Sequence, residues 1–196
     1  MNKTVADSII EILREEGVEV VFSLIATSIM DLFDALAREP AIRVVVSQHE
    51  QGAAFMSDGF ARVSQRPAVC IVSAGPGATN AITGVAQAYH ESSPVVLLSS
   101  ESSTHIHGRG RSNFHEVDQL SLFRPITKWA VRAEQAQRIP ELVRRAFQVA
   151  RSGRPGPVYL GLPKDFLLQP ATGSRPGVSG TERHYLASDP GRAASS

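Results

Sequence analysis

"AVCIVSAGPGATNAITGVAQAYHESSPVVLLSS", residues 68–100, passes from one apolar, β-branched block through a glycine-containing turn and a helix-compatible segment into a second such block. The blocks at 68–73 and 94–100 are short and almost continuously hydrophobic, as strands covered on both faces are. Between them, "ATNAITGVAQAYHE" (78–91) has helical spacing. Two buried strands joined through a helix make a parallel pair, because parallel strands need a crossover and a right-handed crossover helix lies back on the sheet.

The same alternation extends in both directions. Strand-like runs occur at "VEVVF" (18–22), "IRVVV" (42–46), "TKWAVR" (127–132) and "PVYLGL" (157–162). Helical patterns fill "SIMDLFDALARE" (28–39), 49–65, a weaker "EVDQLSLF" (116–123) and "IPELVRRAFQVARS" (139–152). The expected fold is α/β: a doubly wound, mainly parallel six-stranded sheet flanked by helices on both faces. Ligands of such sheets sit outside the carboxyl ends of the strands, which selects "SQHE" (47–50), "SAGPGATN" (73–80) and "SSESST" (99–104) at one shared edge. Residues 1–169 form the expected domain. Residues 170–196, rich in Gly, Ser, Pro and Arg, read as a linker or disordered tail.

Composition narrows the function. A formal net charge of +1 with no dense Lys/Arg block lacks the footprint of a nucleic-acid or anionic-membrane binder, so a small-molecule or protein partner is expected. Cys70 is the single cysteine and lies in an apolar run, which suits a buried structural thiol and a cytoplasmic location. The N-terminal "MNKTVADSIIEILREEG" reads as an amphipathic helix with Val5, Ile9, Ile10 and Leu13 on one face, not a signal peptide, and no stretch is long enough to span a membrane.

Individual residues carry less. Gly75 and Gly77, between a strand and a helix, suit either an anion cradle or a turn made for close packing; Asn80 stands where a dinucleotide fingerprint has its third glycine. His49 and Glu50 are adjacent on a helix and cannot face one metal, so no metal site is expected. His105, His107 and His115 share a segment with Arg109 and Arg111 that suits a solvated loop or an active-site loop. Phe114 and Phe123 suit either core packing or a pocket wall. No Ser-His-Asp arrangement, nucleophile elbow, P-loop or zinc spacing is present. From the residues alone the reading ends at an α/β ligand-binding domain.

Taken together, "HEQGAAFMSDGFAR" (49–62), "VCIVSAGPGATNAITGVAQAYHESSPVVLLS" (69–99), "FHEVDQLSLFRPITKW" (114–129) and "GRPGPVYLGLPKD" (153–165) resemble the N-terminal, pyrimidine-binding domain of thiamine-diphosphate enzymes of the acetolactate synthase and pyruvate oxidase group. The resemblance runs from about Asp7 to about Phe166. It implies that Glu50 is the glutamate hydrogen-bonded to N1′ of the aminopyrimidine, where it must donate as well as accept a proton so that C2 of the thiazolium can be deprotonated. It further implies that Ala26, Ser73, Gly75 and Asn80 border the cofactor and that Phe114, His115 and Glu116 lie in a loop on the substrate side.

The implied reaction is decarboxylation of a 2-keto acid or related donor, followed by transfer to a proton, aldehyde, ketone or oxidant. Two positions depart from the family pattern. Where it usually has a Gly-x-Pro-Gly turn after the first strand, this chain has Ser23, Ile25 and Ala26, and His115 stands where acetolactate synthases usually carry Gln. No Gly-Asp-Gly motif occurs, so the diphosphate and Mg²⁺ are expected to be held by another domain, from a longer polypeptide or a separate subunit, with the tail favouring the first. FAD is compatible with the group but nothing in this chain supports it. A homo-oligomer, dimer or tetramer, is expected. The alternative function is a non-catalytic partner-binding or regulatory domain that retains the fold.

Overall fold

The computed structural model describes residues 3–108 and 115–171; the expected tail from 172 onward and Phe114 lie outside them. Six strands, β1 (Val20–Ser23), β2 (Arg43–Val46), β3 (Ala68–Val72), β4 (Val95–Glu101), β5 (Trp129–Arg132) and β6 (Val158–Pro163), form one sheet in the order β2-β1-β3-β4-β6-β5. Every pairing in it is parallel. The helices are α1 (Val5–Glu15), α2 (Met30–Ala37), α3 (Glu50–Ser64), α4 (Pro76–Glu91), α5 (Gln119–Phe123) and α6 (Ile139–Arg151). The α/β sheet read from residues 68–100 and their flanks is thus the architecture found.

Alternation along the strands divides the interior in two. Val69 and Ile71 of β3, Val96 and Leu98 of β4, and Val158 and Leu160 of β6 pack with Ile9, Leu13, Leu32, Leu36, Val143 and Phe147 of α1, α2 and α6. Cys70, Val72, Val95, Leu97 and Tyr159 face the opposite way, onto Ala53, Ala54, Ala81, Val85 and Ala88 of α3 and α4 and Phe123 of α5. The central strands β1, β3, β4 and β6 are buried throughout, whereas β2 and β5 are partly exposed because each is an edge with a single neighbour.

Local chemistry sets the boundaries. Thr4 opens α1 with a capping box: its hydroxyl accepts from Asp7 N–H at 3.2 Å while the Asp7 carboxylate accepts from Thr4 N–H at 2.9 Å. The apolar face expected around Val5, Ile9, Ile10 and Leu13 is fully buried. Beyond β6, the chain returns to α1, where Val5 and Ala6 N–H donate to Gln169 and Leu167 C=O. One strand end differs from the sequence reading: β4 runs one residue past Ser100 and ends on Glu101. No described helix is long and apolar enough to cross a membrane.

Candidate functional site

Because all strands point the same way, the segments leaving β1, β3 and β4 meet at one edge. The chain enters at β1, moves out to β2 and returns to β3 on the other side of β1, so the sheet reverses its winding between β1 and β3. Such a reversal leaves a crevice. Ile25–Ser28 after β1, Ser73 and Ala74 after β3, and Glu101–Ser103 after β4 line a cavity of about 570 Å³, with Ile106, His115 and Lys164 completing its wall. Of the candidate residues, Ala26, Ser73 and His115 stand in this wall.

Glu50 and Asn80 form a second cluster beside it. Glu50 is the first residue of α3 and is only 7% exposed. Asn80 Nδ2 donates to Glu50 Oε2 at 3.0 Å. The connection that presents Glu50 is fastened at several points. Ser47 N–H donates to Ser23 C=O at 2.8 Å, and Ser47 Oγ donates to His49 C=O at 2.8 Å. His49 caps α3, its Nδ1 accepting from Gln51 N–H at 3.2 Å. His49 is therefore a cap, and among the described residues no group of three or more His, Cys, Asp and Glu is placed to hold a metal.

Close approach of α3 and α4 brings the pair together. A Cβ added to Gly84 would stand 2.5 Å from Ala54 Cβ, so the helices touch at backbone distance one turn beyond Asn80. A Cβ on Gly77 would overlap Ser73 Oγ and come within 3.1 Å of Glu50 Oε1. Gly77 therefore lets Ser73 and Glu50 pack directly against the first turn of α4, and Ser73 also lines the cavity. Beneath it the Cys70 thiol is pushed up to about 12 by burial, with the charge of Glu50 acting in the same direction, so this cysteine stays protonated.

Gly75 makes a close approach to the segment at His115. Its φ of +62° is in the left-handed region, and a Cβ there would meet His115 O at 2.5 Å. Its N–H is taken by Gln119 Oε1 at 2.9 Å. The turn thus packs on His115 and is held by Gln119. Thr104 N–H donates to Asp165 Oδ1 at 2.9 Å, and Gly108 N–H donates to Glu116 Oε1 at 2.6 Å. Glu116 thus holds Gly108, and it is not among the described residues that line the cavity. Phe123 stacks on Tyr159 at 4.6 Å between ring centroids and is a core residue.

The sequence reading missed Glu101, Gln119 and Tyr159. Glu101, 3% exposed, accepts from the Tyr159 hydroxyl at 2.5 Å and has Arg132 Nε 3.8 Å away. Burial, and next the charge of Glu101, hold the Tyr159 phenol well above its ordinary range. The stretch "SSESST" was marked as ligand-facing, which pointed towards Glu101. Nothing in the sequence distinguishes Tyr159 from an ordinary strand aromatic.

A doubly wound sheet with a buried helix-terminal glutamate beside the switch-point crevice is a ligand-binding α/β domain. Residues 3–122 match the thiamine pyrophosphate enzyme N-terminal TPP binding domain, and the chain belongs to that family. Among its relatives, a probable acetolactate synthase large subunit from Methanocaldococcus jannaschii is 43% identical over 160 residues, covering 82% of this chain and 27% of the relative. The acetolactate synthase isozyme 3 large subunit of Escherichia coli K12 is 42% identical over 166 residues, covering 85% and 28%. A probable 2-ketoarginine decarboxylase of Pseudomonas aeruginosa is 38% identical over 182 residues, covering 89% and 32%. The chain therefore spans between about a quarter and a third of the length of these relatives.

Proposed function

We propose that residues 1–169 are the pyrimidine-binding part of a thiamine-diphosphate-dependent enzyme that decarboxylates a 2-keto acid and passes on the remaining fragment, as a decarboxylase or carboligase. The observation that carries this reading is Glu50: a buried carboxylate at a helix N-terminus, with Oε2 fixed by Asn80 and Oε1 packed beside Gly77. That donor and acceptor set fits an aminopyrimidine, whose ring nitrogen needs a partner able both to give and to take a proton.

Thiamine diphosphate, when bound, supplies the means of stabilising the carbanion formed on decarboxylation. The contribution of this chain is positional and protonic. Glu50 holds and exchanges the proton at N1′, and Asn80 fixes the plane of its carboxylate. Burial of Glu50 keeps water from competing for that proton. Ser73 and Ala26 form the wall next to the cofactor, and His115 stands on the substrate side. The relatives' names include both acetolactate synthesis and decarboxylation of 2-ketoarginine, so the 2-keto acid class is assigned without choosing its side chain.

The diphosphate and Mg²⁺ are assigned to a domain outside these 196 residues, which contain no Gly-Asp-Gly. Exposed Phe55 and Val63 on α3 and Tyr89 on α4 support association of this face with another domain or a second copy, as a dimer or tetramer. Nothing in the chain supports a flavin.

The test is Glu50→Gln in the assembly that includes the diphosphate-binding domain. Turnover of a 2-keto acid should fall by roughly 10²–10⁴-fold with the circular dichroism spectrum unchanged. The altered turn at Ser23, Ile25 and Ala26, whose last two residues line the cavity, favours the second reading, a non-catalytic module. Near-normal turnover in the variant would overturn the role given to Glu50, and a wild-type assembly that binds its partner domain without turning over any 2-keto acid would decide for the second reading.

A further inference from the structure

One buried polar side chain at the site has no part in the proton chemistry above. Gln119, 1% exposed, opens α5 and reaches three other elements. Its Oε1 accepts from Gly75 N–H at 2.9 Å and from Ser99 Oγ at 3.4 Å. Its Nε2 donates to Ser100 C=O at 3.0 Å and to the Tyr159 hydroxyl at 3.3 Å. A backbone N–H only donates and a backbone carbonyl only accepts, so the amide has a single orientation. The Tyr159 hydroxyl, receiving that bond, donates its own proton to Glu101 Oε1 at 2.5 Å. A directed chain of hydrogen bonds therefore runs from the Gly75 turn to Glu101 in the cavity wall.

We propose that Gln119 is a positioning residue: it anchors the Gly75 turn and thereby sets the Asn80 amide on Glu50. Its catalytic meaning rests on the role assigned to Glu50. Gly75 is the N-cap of α4, and no side chain of its own caps the helix. Gln119 instead takes the N–H of the N-cap residue itself, the bond that an N3 side chain makes in a capping box, and does so from a distant element. Asn80 lies five residues on, within the same helix, and Gly77 between them packs against both Ser73 and Glu50. A helix moves as a body, so an unanchored first residue shifts the residue one turn later. An aliphatic side chain at 119 would leave the Gly75 N–H buried without its partner. A carboxylate would still accept from Gly75 but would lose the donors to Ser100 and Tyr159.

The experiment is amide NMR on the ¹⁵N-labelled chain, following exchange at Gly75 and the side-chain NH₂ signals of Asn80. In Gln119→Leu, Gly75 exchange should rise at least tenfold and the Asn80 signals should move to positions of an amide no longer bonded to Glu50. The backbone amides of β3 should keep their protection. In Gln119→Glu, which retains the acceptor, both Gly75 protection and the Asn80 signals should persist. Unchanged Asn80 signals in Gln119→Leu would overturn the proposal, leaving Gln119 a purely local bond. If that variant does not fold, Gln119→Glu decides: loss of the Asn80 signals with Gly75 still protected would overturn it equally. These signals come from the chain without cofactor, whereas turnover of Glu50→Gln judges the cofactor role separately.

Discussion

The two faces of the sheet are built differently. On the side of α1, α2 and α6, the interior is made of large aliphatic and aromatic side chains such as Ile9, Leu32, Ile139 and Phe147. On the side of α3, α4 and α5, alanines and glycines make up most of the buried faces of α3 and α4, and the buried set includes Glu50, Ser57, Asp58, Glu101, Gln119 and Tyr159. The first face gains stability from apolar area removed from water. The second uses small residues to bring backbones close, so that polar side chains from different elements reach one another. The Asn80–Glu50 hydrogen bond depends on that closeness. One face supports the fold and the other assembles the site.

Substitutions can separate the two roles. Phe147→Ala on the aliphatic face should cost about 3–5 kcal/mol, read as a lowered denaturant midpoint, yet leave the Asn80 side-chain signals in place. Loss of those signals in a folded variant would contradict the division. Gly84→Ala on the other face should cost less, about 1–3 kcal/mol, because its Cβ meets Ala54 Cβ at 2.5 Å. It should nevertheless displace Asn80 from Glu50. An unperturbed pair would show that the α3–α4 contact does not control the site.

Smaller effects sharpen the contrast. Thr4→Ala removes one half of the capping box on α1 and should lower stability by about 1 kcal/mol with no effect at the site. Asp7, in the same box, carries a carboxyl that burial tends to raise. Bonds from Thr4 and from Arg38 outweigh burial and hold it below the usual value. Its folded-state pKa is depressed, so its contribution to stability is present above the ordinary carboxylate pKa of about 4 and is lost as pH falls through the folded value. Asp7→Asn should flatten that part of the stability curve on acid titration. An unchanged slope would remove Asp7 from the account.

What the sequence made legible follows from periodicity. The strands and most helices were placed by runs of β-branched residues and by helical spacing, since burial imposes both patterns directly on the chain. Glu50 has no periodic signature of its own, and its role comes from the resemblance. Gln119 and Tyr159 were not legible. Their significance lies in bonds to Gly75 and Glu101, which are 44 and 58 residues away along the chain. A polar residue in a short helix and an aromatic in a strand have no pattern that announces such partners. Glu116 was assigned to the substrate side by the resemblance, while its side chain is used to fasten Gly108.

The central claim is that this polar face presents Glu50 to an aminopyrimidine. The most direct measurement is a crystal structure of the chain together with a diphosphate-binding domain and thiamine diphosphate. A Glu50 carboxylate oxygen is expected at a hydrogen-bond distance of about 2.6–3.2 Å from N1′, with Asn80 still on the other oxygen. A pyrimidine ring bound elsewhere, with Glu50 touching only protein atoms, would contradict it.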